Sequence, residues 1–199
     1  MGKFWLGLII GLLLIPIAGA VYLFEGFAPA GVNDPPFPME QFIAGTALRA
    51  RIDKSAPKRE LSSFNTADIV AGADVYRHHC AGCHGLPGME STRPEPKMYP
   101  APPHLFTPDG YVTDDPVGVT YWKAKNGIRT TGMPSFENVL TDQQLWDVAA
   151  LLASADKLPP EAMQTLKQPL FPPPAPPASG KLTPPSGATP KARHPARQR

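Results

Sequence analysis

The chain of 199 residues is long enough for one ordinary domain or for a small domain with appendages, and its 27 prolines favour the second. The formal charge of +2 conceals a segregation: residues 169–199 hold five basic side chains (Lys181, Lys191, Arg193, Arg197, Arg199) and no acid, whereas residues 61–168 carry eight Lys and Arg against twelve Asp and Glu. A basic cluster confined to a proline-rich stretch without interleaved aromatics argues against nucleic acid as a partner, and two cysteines three positions apart exclude a disulfide framework.

In chain order, Lys3 precedes an uncharged run of 21 residues from Phe4 to Phe24, closed by Glu25. About 20 apolar residues cross a bilayer, whereas a signal-peptide core needs only about 7–15. Ala18-Gly19-Ala20 fits a cleavage site and Pro16 can break the helix before it, but Val21 to Phe24 continue the apolar run, which favours a retained anchor. In either case Lys3 places the rest of the chain on the outer side. Residues 1–25 are therefore expected to form a membrane anchor or signal segment.

Residues 26–62 are expected to be a linker containing a helix from Pro38 to about Ala56, read as a solvated spacer resting on the domain or the membrane surface. Asn65 or Thr66 caps a helix that runs to His78 and His79. The prolines from Pro87 to Pro108 forbid regular structure and imply a long wrapping loop. Asp115-Pro116 opens a helix from Val117 to Lys125, stopped at Asn126-Gly127, and Thr141-x-x-Gln144 is a capping box leading into Leu145 to Leu152. No segment alternates with period two, so the class is all-α. Residues 169–199 are expected to be a disordered tail, because proline spacing and sparse apolar side chains cannot offset chain entropy.

The chemistry lies in Cys80-Ala81-Gly82-Cys83-His84, the C-x-x-C-H signature of covalent haem attachment. Two thiols three residues apart add to the two vinyl groups of one porphyrin, and the following histidine is placed beneath the iron. A thioredoxin-like site needs an alternating strand and helix pattern, which is absent. Structural zinc usually pairs ligands from separated knuckles, whereas His78, His79, Cys80, Cys83 and His84 fall within seven residues. For the second axial position Met133 stands out, in a Gly132-Met133-Pro134 loop 49 residues beyond His84; Met98 and His104 are the alternatives.

On these motifs, with Gly72-x-x-x-Tyr76-x-x-x-Cys80, the opposing face Leu145, Trp146, Ala149 and Leu152, and Leu158-Pro159-Pro160 as an ordinary ending past the last helix, the chain resembles the class I monohaem cytochromes c over roughly residues 63–156. The resemblance implies a small all-α cytochrome c domain at residues 63–168, wrapped around one haem c. It assigns Cys80, Cys83, His84 and Met133 to the cofactor, with His84 and Met133 on the iron. It also implies a proline carbonyl, from Pro102 or Pro103 or the nearer Pro87, accepting from the proximal histidine. Trp122, Tyr99 and Tyr121 are candidate neighbours of a haem propionate. With both axial sites filled the iron has no position for a substrate, so the chain is expected to be no enzyme but a one-electron carrier. It would serve partners of a respiratory chain, anchored in a bacterial inner membrane with the haem domain in the periplasm. The alternative is an electron-transfer subunit held within a periplasmic dehydrogenase or terminal oxidase complex.

Overall fold

A computed structural model describes residues 2–88 and 98–168; the expected disordered tail and the middle of the proline-rich loop, with Met89, lie outside the described residues. Among the described residues there are helices and connecting loops and no β-strand: α1 (Gly2–Phe24), α2 (Glu40–Ser55), a 3₁₀ turn (Leu61–Ser63), α3 (Thr66–His79), α4 (Ala81–His84), α5 (Val117–Asn126), α6 (Asp142–Ala153) and α7 (Pro160–Leu166). Helix α1 is long and apolar enough to cross a membrane and buries none of its residues. It runs through Pro16 unbroken, at the expense of the hydrogen bond that residue 16 would donate to the carbonyl of Leu12.

The domain is built on the crossing of α3 and α6. Asn65 caps α3 by accepting from the amides of Ala67 (2.7 Å) and Asp68 (3.2 Å), and the Asp68 carboxylate accepts in return from the amide of Asn65 (2.9 Å). Thr141 and Gln144 make the same reciprocal pair at the start of α6. At the crossing, a Cβ on Gly72 would stand 2.1 Å from the Asp147 carbonyl oxygen, so only glycine lets the two backbones approach this closely. The core beside it is Tyr76, Leu145, Val148 and Leu151, all with under 2 % of their surface exposed. Tyr121 stacks on Trp146 with centroids 4.0 Å apart, joining α5 to α6, and the Arg59 guanidinium lies 4.1 Å over Phe64 beside them.

One element departs from the sequence reading. Pro159-Pro160, expected as an ending past the last helix, instead starts α7: Pro160 stands at the head of the helix, where its missing N–H is no loss, and Ala162 and Leu166 are fully buried, with α7 packed on α3. Helix α2 rests on the domain, one of the two placements expected for it. Ile52 is buried, the Gln41 side chain donates to the Tyr99 hydroxyl (3.0 Å), and the segment after the helix presses the Pro57 carbonyl against Gly118 of α5, where a Cβ would be 1.7 Å away.

Candidate functional site

Helix α3 ends at Cys80, which also opens the single turn α4, so the two cysteines and His84 follow the helix without an intervening loop. The amides of Cys83 and His84 both donate to the Cys80 carbonyl (3.1 and 2.9 Å), and Gly85, at φ 73°, ends the turn. The Gly85 carbonyl accepts from the Tyr76 hydroxyl (2.9 Å), which ties the end of the motif back to α3. The two cysteines form no disulfide with each other; burial, with Cys83 close by, pushes the Cys80 thiol up to about 12.

These residues form one wall of an apolar cleft of about 360 Å³. A second wall is the loop from Met98 through Pro100–Pro103 to Leu105. Thr120, Lys123 and Ala124 of α5, Val148 and Leu152 of α6, and the loop residues Ile128 and Thr131–Pro134, which include Met133, also line it. The last of these is a tightly held loop. Gly127 leaves α5 at φ 68°, the Ile128 amide donates to the Met133 carbonyl (3.2 Å), and the Phe136 amide returns to the Ala124 carbonyl (3.1 Å). The Met133 amide donates to the Thr131 hydroxyl (3.1 Å), which itself donates to the Ile128 carbonyl (2.7 Å). The methionine side chain is thus carried on a closed ring of backbone bonds.

His84 Nδ1 lies 2.8 Å from the Pro103 carbonyl oxygen. A carbonyl only accepts, so Nδ1 carries the proton and Nε2 keeps its lone pair, the tautomer a metal ligand needs. Of the prolines considered from sequence, Pro103 makes this contact. Cys80, Cys83, His84 and Met133 all line the one cleft. Of the alternatives for the distal position, Met98 lies in the cleft too, its Sδ only 2.4 Å from where a Cβ on Gly132 would be, whereas His104 is not among the lining residues and packs its Nε2 against Gly85. Trp122, Tyr99 and Tyr121 do not line it either: Tyr121 donates to the Asp142 carboxylate and Tyr99 accepts from Gln41. Sequence reasoning missed Leu48 of α2, which lines the cleft from outside the expected domain, and Lys123, whose ammonium donates to Asp115 (3.1 Å) at its edge. Among the described residues no group of three or more His, Cys, Asp or Glu converges on a common point, which leaves the zinc reading without a ligand set.

An apolar cleft lined by two thiols, an oriented imidazole and two thioethers fits a flat, largely apolar macrocycle with a central metal. The comparisons agree. The family model described as cytochrome c oxidase, cbb3-type, subunit III, matches residues 67–152. The cytochrome c subunit of the quinone-type alcohol dehydrogenase of Gluconobacter oxydans is 35 % identical over 86 residues, covering 39 % of this chain and 16 % of that protein. The 1-butanol dehydrogenase (cytochrome c) of Thauera butanivorans is 27 % identical over 100 residues, 49 % of this chain and 13 % of that protein. The similarity thus spans less than a fifth of the length of either relative. No solved structure matches the chain. Over residues 67–152 the chain is therefore similar to c-type cytochrome domains, which hold haem c covalently.

Proposed function

We propose that the chain is a one-electron carrier in which Cys80 and Cys83 form the two thioethers to one haem c, His84 is the proximal ligand through Nε2, and Met133 is the distal ligand. When bound, haem c supplies a single-electron ferric/ferrous couple. The rest is the work of the protein. The bond from His84 to Pro103 carries this reading, because it fixes the ring plane and tautomer of an imidazole in the same cleft that Met133 lines. The closed loop from Gly127 to Phe136 holds Met133 in place through a change of charge, which keeps reorganisation small. A soft thioether opposite an imidazole favours the reduced state and leaves no position for a substrate, so the domain transfers electrons and performs no catalysis of its own.

The partners are redox proteins of a respiratory chain. Helix α1 anchors the chain in a bacterial inner membrane, with Lys3 on the cytoplasmic side and the cleft in the periplasm. A second reading, an electron-transfer subunit within a dehydrogenase complex, draws support from the two relatives, both named as dehydrogenases or their subunits. Purification of the full chain in mild detergent from its native membrane separates them. A monomer with a reversible one-electron midpoint supports the carrier, and stoichiometric co-purification of a dehydrogenase supports the subunit. A protein without covalently bound haem rejects both.

A further inference from the structure

The start of α2 presents an apolar surface that the domain does not use. Met39, Phe42 and Ile43 are 63 %, 61 % and 57 % exposed, and Phe37 just before them is exposed as well. No charged residue occurs from Gln41 to Leu48; after Glu40 the next is Arg49, followed by Arg51, Asp53 and Lys54. The helix is therefore apolar at its start and charged at its end. Its other side is committed to the domain through Leu48 on the cleft and Ile52 in the core.

What covers the apolar start follows from its continuity with α1. The chain does not lead away from the end of the spanning helix. At Gly26 (φ 76°) it turns back, the Phe27 amide donating to the Tyr22 carbonyl (3.1 Å). The Phe27 ring stacks on Tyr22 at 6.3 Å, and the Phe37 ring approaches Tyr22 at 6.2 Å. Phe37 is thus held at the level of Tyr22, the kind of aromatic that marks a membrane–water boundary. Helix α2 begins three residues later, so chain geometry keeps its first residue, Glu40, within roughly 11 Å of that boundary.

We infer that the first two turns of α2, led by Phe42 and Ile43, lie in the bilayer interface beside α1, with the charged half of the helix in water. This rests on α1 being a retained membrane anchor. The consequence is orientation: because the same helix lends Leu48 to the cleft and Gln41 to Tyr99, a helix seated in lipid fixes the cleft relative to the membrane plane and does not leave the domain swinging on a linker.

The test uses the full-length holoprotein, in which Cys80 and Cys83 are consumed as thioethers, so that a single introduced cysteine is the one reactive thiol. Ile43→Cys, Phe42→Cys, Lys54→Cys and Leu13→Cys are placed in phosphatidylcholine–phosphatidylglycerol vesicles and alkylated with a charged maleimide; the unsubstituted protein takes up no label. Ile43→Cys and Phe42→Cys are expected to react at least tenfold more slowly than Lys54→Cys, at any protein-to-lipid ratio. Equal rates at residues 43 and 54 with Leu13→Cys protected overturn the interfacial helix and leave the anchor standing. Reaction at Leu13→Cys as fast as at Lys54→Cys overturns the anchor, and this inference with it. Protection at residue 43 that disappears on dilution in lipid identifies a second copy as the occupant and also overturns it.

Discussion

His84 and Pro103 stand 19 positions apart in the chain, yet the imidazole Nδ1–H donates to the proline carbonyl at 2.8 Å, and both residues line the cleft. The bond makes the ring a better electron donor to a metal on Nε2 and favours the ferric state. Pro103→Ala keeps a carbonyl but frees the backbone torsion that aims it. We expect covalent haem to be retained and the midpoint potential to rise, as measured by spectroelectrochemical titration. An unchanged potential would mean that the bond does not tune the iron.

The two thioethers are a separate prediction. Cys80→Ala or Cys83→Ala should markedly reduce covalent haem, and the double variant should abolish it, as read from haem staining of the denatured protein on a gel. Staining that survives the double change refutes the attachment site.

At the helix crossing, Gly72→Ala places a methyl group where the Asp147 carbonyl oxygen already is. Overpacking of this kind costs about 1–3 kcal/mol, and each kcal/mol lowers Tm by roughly 4–8 °C in a domain of this size. The holoprotein melt should fall accordingly. A melt within 2 °C or so of the parent would show that α3 and α6 separate at little cost.

The parts of the fold legible in the sequence are those whose signal is local. The capping box at Thr141, the N-cap at Asn65 or Thr66 and the apolar face of α6 name their own helices, and C-x-x-C-H names its chemistry; that Asn65 is the cap, in a box with Asp68, came from the structure. Gly132-Met133-Pro134 was legible as a loop, though the bonds of Ile128, Thr131 and Phe136 that close it were not. The missed features depend on long-range placement. Pro160 reads equally well as a helix stop or a helix start, and burial of Leu166 against α3 decides it. Leu48 lines the cleft from a helix whose following segment brings Pro57 against Gly118, a contact 61 positions apart. The choice of Pro103 over Pro102 turns on one residue of register in a loop without periodicity.

Asp147 gives a pH prediction. Burial raises its carboxyl above the ordinary 3.8, helped by Asp68 nearby, while the Gln143 amide (2.7 Å) and Arg59 act in the opposite direction. A carboxyl raised in the folded state contributes stability below its unfolded pKa and loses it as pH rises through the folded value. At neutral pH the ionised Asp147 therefore weakens the α3–α6 contact. Asp147→Asn, which still accepts from Gln143, should melt higher than the parent at pH 7, and the gap should close as pH falls towards about 4. A gap independent of pH would assign the effect to packing and not to charge.

The distal ligand is the most exposed of these assignments to test, because two sulfurs share one cleft. Met133 sits on the bonded loop, and Met98 lies against Gly132 next to it. With Met133 on the iron, Met133→Ala should keep haem attached, lower the potential on the order of 0.1 V, within the ~0.8 V that axial ligands span, and give the reduced protein affinity for carbon monoxide. The oxidised protein should lose its sulfur-to-iron charge-transfer band. His104→Ala should change none of these, since His104 packs on Gly85 and away from the cleft. Met98→Ala alone should likewise leave the band intact. Its loss in Met98→Ala, with Met133→Ala unchanged, transfers the ligand to Met98. A band that survives Met133→Ala and Met98→Ala singly but not together means that either sulfur can serve, and that the iron is closed to substrates by the cleft and not by one residue.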